Sequence, residues 1–226
     1  MIAVKEGFQR RCAEISKYQK ILSRIIEEDA ILYSPSKQSH KKLYFDSESQ
    51  KLLKANLILM LYNLMESTVS SALSELYDHV SSRGLKYGDV ADSIRKIWIS
   101  LEYKNFRNMG INDLYGILAS LSANEISIQF DRKRQISGNI DARKIRDFAD
   151  QLGITLRVHH SLNAGDKLVR VKQLRNELAH GEKSFSEGGR EFSYPEIIVV
   201  SNQVIKYLES FIRSVEKYLV TKSFIA

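Results

Sequence analysis

The stretch LILMLYNLM, residues 57 to 65, constrains the fold more than any other part of the chain. It lies within a run from about Ser49 to Val80 that has neither proline nor glycine, so nothing interrupts a long helix. Apolar residues fill nearly every position of the nonamer instead of one stripe. A helix that is apolar all round belongs at the centre of a bundle, with other helices wrapped around it. Only eleven glycines and two prolines occur in 226 residues, which leaves few breaks in the helices that must do the wrapping. A chain of this length buries one good core, so a single domain over residues 1–226 is expected.

Periodicity supplies the other elements. Phe8, Cys12, Ile15, Leu22 and Ile26 recur at helical spacing and predict a first helix from about Val4 to Asp29. YSPSKQSHKK, residues 33 to 42, is polar and holds Pro35; it reads as a loop that extends to about residue 48. Shorter helices are expected over Val90 to Glu102 and Ile111 to Leu121. In SGNIDARKI, Asn139 is a candidate N-cap with Asp141 in the positive first turn, and Gly153 closes that helix. ITLRVHH, residues 154 to 160, has the alternation of a short strand. A helix from about Gly165 to His180 follows. KSFSEGGREFS, with two short alternating segments around Gly188 and Gly189, predicts a small β-hairpin over about 183–193. Ser193 and Glu196, with Pro195 between them, form a capping box that opens a last helix through about Leu219. The expected class is all-α, a helical bundle with one small hairpin insertion.

The formal net charge of +7 favours an anionic partner, with RNA or DNA the commonest. Cys12 is the only cysteine, which excludes an intrachain disulfide and a cysteine-rich zinc site. MIAVKEGFQRRCAEI has no apolar core of signal-peptide length, and the run from Ala55 to Met65 is too short to span a bilayer. A cytoplasmic protein without membrane association is expected.

Against this background LRNELAHG, residues 174 to 181, stands out. Leu168, Val171, Leu174 and Leu178 form the stripe that this helix must bury. At 100° per residue Arg175 lies about 60° from Leu178, at the edge of that stripe, and His180 lies about 160° away. Asn176 stacks one turn below His180. A histidine and a glycine at a helix end also suit the negative pole and the usual stop, so helix-terminus chemistry alone accounts for part of the pattern.

RNELAH, an arginine followed after four residues by a histidine and with a polar residue directly after the arginine, resembles the signature of the HEPN superfamily. A long early helix with YNLMES, a middle SGNIDARKI segment and RNELAHG before a final long helix look like one bacterial branch of HEPN ribonucleases of toxin or antiviral-defence type. The resemblance implies an all-α bundle, pairing of two protomers into one cleft, and RNA as substrate. It implies metal-independent cleavage without a cofactor, with Arg175, His180 and Asn176 as the site. A product of a neighbouring gene, such as an antitoxin, would restrain such an enzyme. Other members of the family have lost catalysis and only bind nucleotides, RNA or partners.

Several residues outside the motif are candidates for support. Asn63 and Glu66 are polar positions on the apolar second helix, three apart and on one face; Glu66 is suited to pair with Arg175 or to serve as a structural or surface carboxylate. Arg132, Lys133 and Arg134, with Arg143 on the next helix, could hold an RNA backbone or form a solvated basic loop. His159 and His160 would point in opposite directions on an extended segment, which argues against a shared metal. His40 and His79 stand alone in the sequence, and no glycine-rich phosphate loop or serine elbow is present.

Overall fold

The computed structural model describes residues 1–36, 39–130 and 139–226. Its elements, in chain order, are α1 (Ile2–Glu27), β1 (Leu32–Ser36), β2 (Ser39–Leu43), α2 (Ser47–Ser81), α3 (Asp92–Arg107), α4 (Ile111–Ser122), α5 (Ala142–Leu152), α6 (Asp166–Ala179), α7 (Phe185–Arg190) and α8 (Tyr194–Val220). Two 3-10 turns, Tyr87–Asp89 and His160–Gly165, lie between helices. The fold is all-α with one two-stranded ribbon. None of its helices is long and apolar enough, over the described residues, to cross a membrane.

α2 is the axis of the molecule, as its apolar middle requires. Leu57, Ile58, Leu61, Leu64 and Met65 are fully enclosed, and α1, α6, α7 and α8 all pack on it. Asp46 starts α2 by accepting a hydrogen bond from the Ser49 amide at 2.8 Å, which satisfies one of the helix's open donors. α8 closes the bundle, with Ser193 and Glu196 exchanging hydrogen bonds in a capping box and Pro195 in the first turn. One continuous cluster of buried side chains runs from Val4 on α1 to Phe224 beyond α8.

The β-structure is not where alternation and turn residues place it. Residues 32–36 and 39–43, most of which fall in the loop expected over about 33–48, form an antiparallel ribbon that pairs Leu32 with Leu43 and Pro35 with His40. Both strands of a two-stranded ribbon are edges, so a proline without a donor is tolerated there. The expected hairpin at 183–193 is instead the short helix α7. Ser184 caps it in a second box with Glu187, accepting from the Glu187 amide at 3.2 Å while the Glu187 carboxylate accepts from the Ser184 amide at 2.8 Å. The glycines meant for a turn serve close packing. A Cβ on Gly189 would stand 1.9 Å from the Lys51 carbonyl oxygen on α2, and one on Gly188 would stand 3.0 Å from Leu178.

Two smaller corrections bear on the site. Residues 154–159 join no strand, so their alternation yields burial of Ile154 without a sheet. The N-cap of α5 is Asp141, whose carboxylate accepts from the Lys144 amide at 2.9 Å; Asn139 lies two residues before it in the left-handed region, at φ +67°.

Candidate functional site

α6 ends as a helix should. Gly181 takes φ +72°, its amide donates to the Leu178 carbonyl at 3.4 Å, and the Glu182 amide donates to Glu177 at 2.9 Å. This is the glycine-closed pattern that satisfies the last open carbonyls. His180 is the C-cap residue, with its backbone amide bound to the Asn176 carbonyl at 2.9 Å and its ring exposed to solvent. Helix-terminus chemistry therefore accounts for the backbone of the motif. It leaves the side chains of Arg175 and Asn176 unexplained.

Those side chains belong to a closed ring of contacts. The Arg175 guanidinium lies over the face of Tyr62 on α2, 4.5 Å from the ring centroid, where the negative face of the aromatic quadrupole attracts it. Arg175 Nη1 donates to Asn176 Oδ1 at 3.0 Å. Asn176 Nδ2 donates to Asn139 Oδ1 at 3.1 Å, and the Asn139 amide donates to the Tyr62 hydroxyl at 3.0 Å. One turn earlier on α6, Lys172 Nζ stands 3.3 Å from Asp141 Oδ2, so a second bond ties α6 to the start of α5. The buried stripe of Leu168, Val171, Leu174 and Leu178 fixes α6 against the core, and these polar links set its register against residues 139–141.

The charge balance around the motif is uneven. Glu177 is paired with Lys183 at 2.9 Å, and Glu191 is bound by both Lys183 and Arg170. Hydrogen bonds donated to Glu191 and then Glu177 hold the Lys183 ammonium above its ordinary pKa. Among the described residues Arg175 has no carboxylate partner. A half-buried cation resting on an aromatic ring, without a carboxylate partner among the described residues, has capacity left for an external anion.

The structure redistributes the sequence-derived candidates. Arg175 and Asn176 do not face away from their own bundle; they pack on Tyr62 and Asn139. His180 alone of the trio faces solvent, without a side-chain hydrogen bond to a described residue. Glu66 is half-buried and forms no ion pair with Arg175, which rests instead on Tyr62, one turn earlier on α2; Asn63 is exposed. Arg143 is exposed in the first turn of α5, close in sequence to Asn139. Arg132, Lys133 and Arg134 lie outside the described residues. His159 and His160 do not diverge as expected: the 3-10 turn that starts at His160 brings their rings to 4.2 Å, beside an open cleft of about 720 Å³ that Arg146 and Tyr207 also line. Among the described residues no group of three histidine, cysteine or carboxylate side chains could hold a metal ion.

Residues 3–224 match the family model described as HEPN_MAE_28990:/-like HEPN, which is nearly the whole chain. The chain belongs to the HEPN superfamily. In the same comparisons neither a curated protein nor a solved structure matched it. HEPN domains are generally ribonuclease-like or nucleotide-binding, and RNELAH, the stretch that resembles the HEPN signature, lies at the end of α6. The sequence signature did not point to Tyr62 or Asn139. Asn139 had one local signal, since asparagine after glycine is among the few residues at ease with positive φ. Tyr62 had none, being one apolar position among many in LILMLYNLM.

Proposed function

We propose that this HEPN protein is a metal-independent endoribonuclease. The observation that carries the reading is Arg175: a half-buried guanidinium held on Tyr62, without an acidic partner among the described residues, five positions before an exposed histidine. In this reading Arg175 grips the scissile phosphate. The substrate's 2′-hydroxyl oxygen attacks phosphorus while the bond to the 5′-oxygen breaks. One group takes the proton from the 2′-hydroxyl and another gives a proton to the leaving 5′-oxygen. The products are a 2′,3′-cyclic phosphate and a 5′-hydroxyl.

His180 is assigned to proton transfer, the task to which an imidazole is suited near neutrality. One protomer brings a single motif histidine to two proton-transfer tasks. The proposed working form is accordingly a homodimer whose two copies of RNELAH share one cleft. Arg143, with Arg132, Lys133 and Arg134, would hold the RNA backbone. A role as a toxin or antiviral-defence effector, restrained by an antitoxin or another neighbouring-gene product, fits this activity.

Cleavage of a mixed RNA pool in excess EDTA, lost in His180→Ala, is the expected outcome. At least a 100-fold drop in rate is expected, the scale of losing a positioned acid or base. A second reading is favoured by the isolation of the His180 ring from both Arg175 and Asn176: a silent HEPN module that binds RNA, a nucleotide or a partner protein. RNA binding without cleavage, unchanged in His180→Ala, would establish that alternative.

A further inference from the structure

We propose that Tyr62 and Asn139, neither of which belongs to the HEPN signature, are positioning residues that orient Arg175 so that it takes a phosphate side-on, through Nε and Nη2. The phosphate in this inference rests on the ribonuclease reading; the positioning rests on geometry alone.

The ring of contacts restrains the guanidinium at two points. Tyr62 sets its position, since attraction to the aromatic face keeps Cζ 4.5 Å from the ring centroid. Asn176 sets its rotation by accepting from Nη1 at 3.0 Å. Asn176 is in turn held by Asn139 at 3.1 Å, and Asn139 is pinned to the Tyr62 hydroxyl at 3.0 Å, so the fourth contact returns to the first residue. Both ends of the Asn176 amide are engaged in this way, and neither makes a hydrogen bond to His180. Nε and Nη2 make no hydrogen bond to a described residue. These two atoms form one edge of the planar fork and match two oxygens of a phosphate. Lysine has no such edge and cannot be held in a plane.

Two substitutions open the ring without removing the arginine. Tyr62→Phe keeps the stacked ring and deletes the acceptor for Asn139. Asn139→Gly deletes the acceptor for Asn176 and keeps a residue at ease at φ +67°. Each is expected to lower kcat roughly 10-fold with KM near the wild-type value, since a misplaced transition-state contact costs rate more than binding. The double variant should lose about the same factor, because the ring is already open. Arg175→Lys should lose roughly 100-fold or more. Losses that multiply in the double variant, or variants as fast as wild type, would overturn the proposal.

A second readout needs no catalysis. In side-chain NMR of the full chain, the Arg175 guanidinium should rotate slowly in wild type and freely in both variants. Identical Arg175 spectra would sink the positioning role even if RNA is cleaved. A wild-type protein inert on RNA, but with an Arg175 signal that loosens in the variants, removes the ribonuclease reading and keeps the positioning. Asn139, exposed and already in a glycine-compatible conformation, carries the test by itself if Tyr62→Phe folds poorly.

Discussion

Gly189 and Gly181 show how differently two glycines act in one chain. Gly189 is needed for space, because a methyl group would meet the Lys51 carbonyl of α2 at 1.9 Å. Gly181 is needed for its backbone, with φ +72° and nothing within 4 Å of a Cβ. Gly189→Ala forces α7 off α2 and should cost about 1–3 kcal/mol of stability, at the upper end of that overpacking range because backbone cannot yield as a side chain can. Gly181→Ala should cost about 1–2 kcal/mol, the ordinary penalty of a side chain in the left-handed region. Gly181→Asn should recover part of it. Urea midpoints in the order Gly181→Asn, Gly181→Ala, Gly189→Ala, from most to least stable, would check this. A helix stop at Gly181 was legible from LRNELAHG. The role of Gly189 was not, since its reason lies in α2, distant in sequence. The same contrast holds at the site: Arg175 and His180 are marked by their spacing, whereas the ring under the guanidinium comes from α2.

Among elements, the pattern Ser-x-x-Glu occurs twice within ten residues, at Ser184 and at Ser193, and both copies make capping boxes. Pro195 in the first turn and the long apolar run behind it make the second copy plain in the sequence. The first precedes only six helical residues, two of them glycine, so local preference points to a turn; packing on α2 and Leu178 decides for a helix. Hydrogen bonds from the Ser184 and Ser193 amides hold the Glu187 and Glu196 carboxyls below their ordinary pKa of 4.5. A depressed folded-state pKa contributes stability that is present above pH 4.5 and is lost as pH falls through the lowered value. Ser193→Ala and Ser184→Ala should each lower Tm by about 2–4 °C at neutral pH, and a Glu187→Gln, Glu196→Gln double variant, with neither carboxyl left to titrate, should show a shallower loss of Tm on acidification below pH 4.5 than wild type. Equal acid sensitivity of variant and parent would assign that loss to other carboxylates. The ribbon of β1 and β2 escaped detection for a related reason: strand pairing is a property of two segments, and neither segment alternates strongly by itself.

At the scale of the whole molecule, the net charge of +7 and an Arg175 without a carboxylate partner among the described residues favour a polyanion over a neutral partner. RNA affinity should fall steeply with salt, and Arg143→Ala should reduce the slope of log affinity against log salt by roughly 0.7, the value for one released counterion on a single strand. An unchanged slope would remove Arg143 from the RNA path. If two protomers share the cleft and each histidine takes one proton-transfer task, refolding wild type with an excess of His180→Ala should lower activity well below the wild-type share of the mixture, because each mixed dimer keeps only one histidine. Activity in proportion to the wild-type share would remove the shared cleft.

By itself the sequence specified a helical bundle around Ser47–Ser81, the ends of most helices, and the arginine–histidine pair at the end of α6. These follow from periodicity, capping and spacing, all of which act within a few residues. Only the tertiary structure decided that 32–36 and 39–43 pair as a ribbon, that 185–190 is a helix, and that Tyr62, Arg175, Asn176 and Asn139 close a ring of contacts. Each of those outcomes depends on groups that meet only after the chain has packed, when close approach of backbones and the satisfaction of buried polar atoms outweigh local preference.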